Sequence, residues 1–194
     1  MGAQQKIVAV LALLGLVVAG CGSSEPKIPT SKLSKLVLQR SDLPKSFAPF
    51  SFGKQVSSDQ PVGHSDPGRF GRQGGWIGRF HRGGSPKTKG PLVVSSRVDL
   101  FKDAGGAKEE LVLERHDLVR NGAKEVDVGG LGDQAVAVTT TQAGAITVRN
   151  FAIAWRERNA VAKLELSGFN GKFTRADALA LARIQDDRLR TALR

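Results

Sequence analysis

The chain has 194 residues, 29 Lys and Arg against 18 Asp and Glu for a net charge of +11, and a single cysteine. One cysteine excludes a disulfide framework, so the fold must be held by packing alone. A hydrophobic share of 40% supports a real core, while 23 Gly and no Tyr imply much loop and few aromatic anchors. The basic surplus suits an anionic partner or serves solubility.

Lys6 precedes an apolar run from Ile7 to Ala19 that ends at Gly20-Cys21. As a helix this run reaches about 20 Å at 1.5 Å per residue. That is short of the roughly 30 Å hydrocarbon core, so a cleaved secretory signal is expected rather than a permanent span. Val18-Ala19-Gly20-Cys21 resembles the lipobox of bacterial lipoproteins. The resemblance implies cleavage after Gly20, a diacylglyceryl thioether on Cys21 and palmitate-type acylation of the new amino terminus. It places the protein on the extracytoplasmic face of the membrane, anchored by lipid. The expected organisation is a signal peptide over 1–20, a lipidated start and flexible tether over 21–31, and one globular domain over 32–194. In that compartment the charge suits anionic lipid or acidic cell-wall polymer, and nucleic acid is not expected.

Leu33, Leu36 and Val37 suggest a short helical turn stopped at Pro44, and Phe47, Phe50 and Phe52 read as core anchors of a loop and first strand. An aromatic ligand box is the alternative. From Gln60 to Gly75 apolar residues thin out, which predicts a long surface loop. Trp76 to His81 and Pro91 to Phe101 alternate as the strands of a hairpin. Asp103 to Asn121 reads as a helix capped by Asp103, with Ala107, Leu111, Arg115 and Leu118 on its packed stripe. Glu110 and Glu114 are expected on its solvated face rather than as a catalytic pair.

Gly129-Gly130-Leu131-Gly132-Asp133 is a tight turn; a β-rich run follows it, not the helix a phosphate loop needs. Ala145 to Trp155 and Ala160 to Gly168 form the clearest hairpin, with Ala162, Leu164 and Leu166 alternating against Lys163, Glu165 and Ser167 as in a sheet with one wet face. A bulge near Arg149-Asn150 would bring Ile146 and Val148 into phase with Phe151, Ile153 and Trp155. Thr174 and Asp177 form a capping box that opens a C-terminal helix buried along Ala178, Leu181, Ala182, Leu189, Ala192 and Leu193.

His64, His81 and His116 lie in three separate elements without metal-ligand spacing. No nucleophile elbow, zinc motif or P-loop is present, so no cofactor, metal site or catalytic residue is expected. Strands, a helix, paired strands and a last helix define the α+β class: an antiparallel sheet of about five to six strands with helices on one face. The helix around Leu111, the turn at Gly130 to Asp133, the hairpin Phe151 to Leu166 and the helix from Thr174 are similar in pattern to the LpqN-like domains of actinobacterial lipoproteins and to the PsbP-like fold. A cystatin-like arrangement would give the same element order. The expected function is a non-enzymatic binding module for an anionic or amphiphilic envelope partner. The alternatives are a carrier or sensor with an apolar cavity, and an envelope hydrolase using His64 or His81. Seven Lys and Arg against two Asp between Lys54 and Lys89 nominate Arg72, Arg79, Arg82, Lys87 and Lys89 as the anionic-partner patch.

Overall fold

Seven strands make one sheet: β1 (Ala48–Lys54), β2 (Arg72–His81), β3 (Val93–Phe101), β4 (Lys124–Glu125), β5 (Gln134–Gln142), β6 (Val148–Glu157) and β7 (Ala160–Phe169). They are ordered β1-β2-β3-β7-β6-β5-β4 and paired antiparallel throughout. Among the described residues three α-helices accompany them, α1 (Leu33–Leu36), α2 (Ala104–Arg120) and α3 (Arg175–Ala192). The computed structural model describes residues 26–55, 68–120 and 123–194. The expected signal segment, Cys21, His64 and the expected helix stop at Asn121-Gly122 lie outside the described residues. The fold is α+β as expected, with more strands than five to six.

The helices do not share one face. Alternation on β3 sends Val94, Val98 and Leu100 into the main core with Ala178, Leu181 and Leu189 of α3. The intervening Phe101 packs with Ala107 of α2 and Val161 of β7, and Leu111 of α2 packs with Val136 and Ala154. α2 and α3 therefore cover opposite sides of the central strands. The face expected to be wet on β7 is only partly so: Glu165 is exposed and Ser167 half-buried, whereas Lys163 is buried beneath α2 beside Arg97 and Asp99. The α3 side is the larger core. Trp155, Phe80, Phe173 and Leu164 are fully buried in it, each such burial contributing about 2 kcal/mol.

Packing also reaches into the stretch expected as a tether. Ile28 is buried, its N–H donating to Asn159 Oδ1 at 2.8 Å while Asn159 Nδ2 donates to Ile28 O at 3.1 Å and to Phe101 O at 3.0 Å. From there the chain climbs the α3 side of the sheet through α1, and Leu38 N–H donates to Ser96 Oγ at 2.9 Å. Ser96 and Gln185 hydrogen-bond, and Gln185 Nε2 donates to Arg97 O, so these two buried side chains are satisfied. Phe47 is buried, but Phe50 and Phe52 are 53% and 45% exposed on the edge strand β1. They act as partial lids: Phe50 stacks on His81 at 5.3 Å, and Phe52 meets Trp76 and Phe80 edge-on.

Three local expectations change. β2 begins at Arg72, so the expected loop gives way to strand before Gly75. β6 keeps continuous register with both neighbours from Val148 to Glu157, with no bulge at Arg149-Asn150. Val148 simply takes the α2 side. The glycine turn is structural: Gly132 has φ of +50°, and a Cβ there would lie 2.2 Å from Arg156 O.

Candidate functional site

At the end of the sheet where β5 finishes and β6 starts, a pocket of about 630 Å³ is lined by Lys124, Thr139, Thr140, Thr141, Arg149 and Arg175 over Val126 and Phe151. Strand register builds it. Lys124 pairs with Thr139, and Thr141 pairs with Arg149, so β4, β5 and β6 each bring a polar group to the same corner. Arg149 lies two residues from buried Phe151 and thus shares its side of the sheet. The fourth wall is the start of α3: Thr174 accepts from Asp177 N–H in a complete capping box, which makes Arg175 the first helical residue and hangs it over the opening. Phe151 closes the floor, held edge-on against Phe173 at 5.1 Å and 86°.

The electrostatics of this corner are one-sided. Three cations line it and, among the described residues, no carboxylate does. Among the described residues Arg149 Nε is buried with no hydrogen-bond partner, and the bond found there for Arg175 is to a main-chain oxygen, Asp127 O at 3.3 Å. Like charges around one opening repel each other and attract an anion, and guanidinium forks match phosphate or carboxylate oxygens in pairs. Thr139 and Thr141, on the side of the sheet that carries Phe151 and Arg149, add hydroxyl donors and acceptors at the same wall, although Thr139 Oγ1 already donates to Asn150 O. The volume lies within the range of small-ligand pockets.

The patch nominated from sequence does not assemble as one. Arg72 sits at the start of β2, where its Nε donates to Asp99 Oδ1 at 2.6 Å and its charge is spent inside the protein. Arg79 is on the strand itself, opposite Ser51 and Ser95. Arg82, past the other end of β2, lies over the Phe47 ring at 4.9 Å and donates to Pro91 O and Lys89 O. Lys87 and Lys89 are exposed in the same loop. The structure thus brings Arg82, Lys87 and Lys89 together and leaves Arg72 apart.

Between the sheet and α2 lies a second charged cluster that is internal. Glu114 is fully buried, pairing with Arg97 and, at 3.0 Å, with Lys163 Nζ. Arg97 also holds Asp99 at 3.1 Å, and Arg69 holds Glu110 at 2.9 Å. Burial alone would lower the Arg97 pKa, but Glu114 and Asp99 outweigh it and raise it, fixing the positive charge. Glu110 and Glu114 are therefore not on a solvated face. Their cationic partners come from strands, which helical periodicity cannot register.

His81 stacks on Phe50, and His116 stands beside Asp117 at 3.6 Å. No group of three or more His, Cys, Asp or Glu among the described residues could hold a metal. No helix among them is long and apolar enough to cross a membrane. Sequence reasoning missed Lys124, Arg149 and Arg175 because only pairing register and a helix cap unite them; the run Thr139-Thr140-Thr141 was the one local hint.

No family model and no curated protein matches the chain. Among solved structures it is similar to the extracellular domain of PknH from Mycobacterium tuberculosis, with a TM-score of 0.62 and 18% identity over 85% of this chain and 98% of that one. At that identity the likeness is one of fold.

Proposed function

We propose that this chain is a lipid-anchored protein of the extracytoplasmic membrane face whose domain binds an anionic ligand and catalyses no reaction. The lipobox at Val18 to Cys21 supports the anchor, and a fold shared with an extracellular domain is in keeping with it. The observation that carries the binding reading is the convergence of Lys124, Arg149 and Arg175 with threonine hydroxyls in one pocket free of lining carboxylates among the described residues. A carrier with an apolar ligand between sheet and α3 gains no support, because Trp155, Phe80, Leu164 and Leu189 fill that interface.

The binding reading is tested with pyrophosphate as probe, followed by thermal unfolding. A ligand that binds only the folded state raises stability by about 2.7 kcal/mol at a hundred times its dissociation constant. The wild type is expected to show this stabilisation and Arg149→Ala/Arg175→Ala to lose it, while Lys102→Ala/Lys108→Ala, which removes the same charge elsewhere, keeps it. Equal stabilisation of all three proteins defeats the reading. The anchor is tested by intact mass on the host membrane fraction: diacylglycerol on a chain beginning at Cys21, absent in Cys21→Ser, is expected. A wild-type chain that retains Met1 and carries no lipid removes the anchor.

A further inference from the structure

The two ends of the sheet differ in character. At one end the chain enters the domain, with Ile28 clamped by Asn159 in the β6–β7 turn and Lys32 Nζ donating to Ala192 O at the end of α3. At the other end lie the pocket and two cationic connections beside it, the β2–β3 loop with Arg82, Lys87 and Lys89 and the β7–α3 turn with Lys172. Gly90 N–H donates to Lys172 O at 2.8 Å and ties those connections together. Two carboxylates in this region are held in local caps: Asp177 accepts from the Thr174 N–H and hydroxyl, and Asp127 accepts from Gly129 N–H.

Spacing decides the size of the ligand. Arg82 extends from β2 and Arg149 belongs to β6, with β3 and β7 between them. Three strand spacings of about 4.8 Å put these groups about 14 Å apart. That exceeds a Debye length of about 8 Å at physiological salt. A small anion in the pocket is screened from the loop, whereas a chain of anions engages both.

Direction decides its source. From Arg149 to Glu157, β6 runs eight residues, about 27 Å at 3.4 Å each. The seven residues from Cys21 to Ile28 span at most about 25 Å when fully stretched. Laying the cationic end on the bilayer that holds the lipid would need an inverted domain and a taut tether. The natural exposure of that end is away from the membrane.

From these two measures we infer that the ligand is an extended polyanion, a polymer bearing phosphate or carboxylate groups. It enters the pocket of Lys124, Arg149 and Arg175, crosses the β7–α3 turn to the β2–β3 loop, and is taken from the side facing away from the membrane. This rests on the anion-binding reading of the pocket.

The test uses the full lipidated chain, in detergent and in vesicles of phosphatidylcholine with phosphatidylglycerol. The probes are long poly(glycerol phosphate), polyglutamate and a two-phosphate glycerol fragment. Linked contacts raise affinity well beyond a single contact, so the long polymer should bind at least about tenfold more tightly than the fragment. Lys87→Ala/Lys89→Ala, at two exposed loop positions, should cost the polymer about tenfold and leave the fragment unchanged. Arg149→Ala/Arg175→Ala should weaken both, and whichever long polymer binds tighter identifies the acidic group. An unchanged polymer affinity in the loop variant, or a fragment as tight as the polymer, overturns the spanning mode while the pocket stands. No effect of the pocket variant on either probe overturns the anion reading itself. Loss of polymer binding on moving from detergent to vesicles shows the membrane occupying the cationic end and overturns the orientation.

Discussion

Glu114 shows what makes a charged side chain an interior one. Its carboxylate sits between Arg97 and Lys163 beneath α2, sealed from solvent, and its buried charge is tolerable because both cations face it. Glu114→Ala removes the carboxylate that two buried cations share, leaving Arg97 with Asp99 and Lys163 with exposed Glu165, and is expected to lower stability by about 3 kcal/mol. Urea unfolding reads this directly, with exposed Lys108→Ala as a control expected within about 0.5 kcal/mol of wild type. A loss as small as that of the control would mean that the cluster is hydrated and contributes little.

At the scale of elements, what could be read from sequence was whatever its own neighbours determine. The capping box at Thr174, the β6–β7 hairpin and the short turn at Leu33 depend on residues a few positions apart, and they form where expected. The buried face of α2 was misjudged. Arg115 and Val112 are exposed, whereas Glu110 and Glu114 join Ala107 and Leu111 inside. Hydrophobic periodicity places glutamate outside unless the partner cation is known, and here the partners are contributed by β3 and β7. The pocket was illegible for the same reason: Lys124, Arg149 and Arg175 meet only after β4, β5, β6 and α3 have taken register.

The junction of β6 and α3 also makes stability depend on pH. Glu157 and Asp186 are buried on either side of Arg190, whose Nε lies 2.9 Å from Asp186 and 3.7 Å from Glu157. Burial raises both pKa values; Asp133 pushes Glu157 further up, and Arg190 partly pulls Asp186 back. A carboxyl raised in the folded state favours folding when protonated, and that contribution is lost as pH rises through the folded-state value. Glu157→Gln is therefore expected to unfold at a higher temperature than wild type at pH 7, with the advantage fading as pH falls through the ordinary glutamate range. A difference independent of pH, or a less stable variant at neutrality, counts against this assignment.

For the molecule as a whole, the sheet separates two features by distance, entry of the chain at one end and the pocket of Lys124, Arg149 and Arg175 at the other. The clamp at the entry end has a temporal consequence. Asn159 grips Ile28 across 131 positions of sequence and also holds Phe101, so the grip requires the β6–β7 turn and the end of β3 to be in place. Contacts this distant in sequence close late, because loop entropy must first be overcome. The leading stretch of a chain emerging amino terminus first has no docking partner until more than three quarters of its length is available. Ile28 therefore joins the sheet after the β6–β7 turn and the end of β3 have paired.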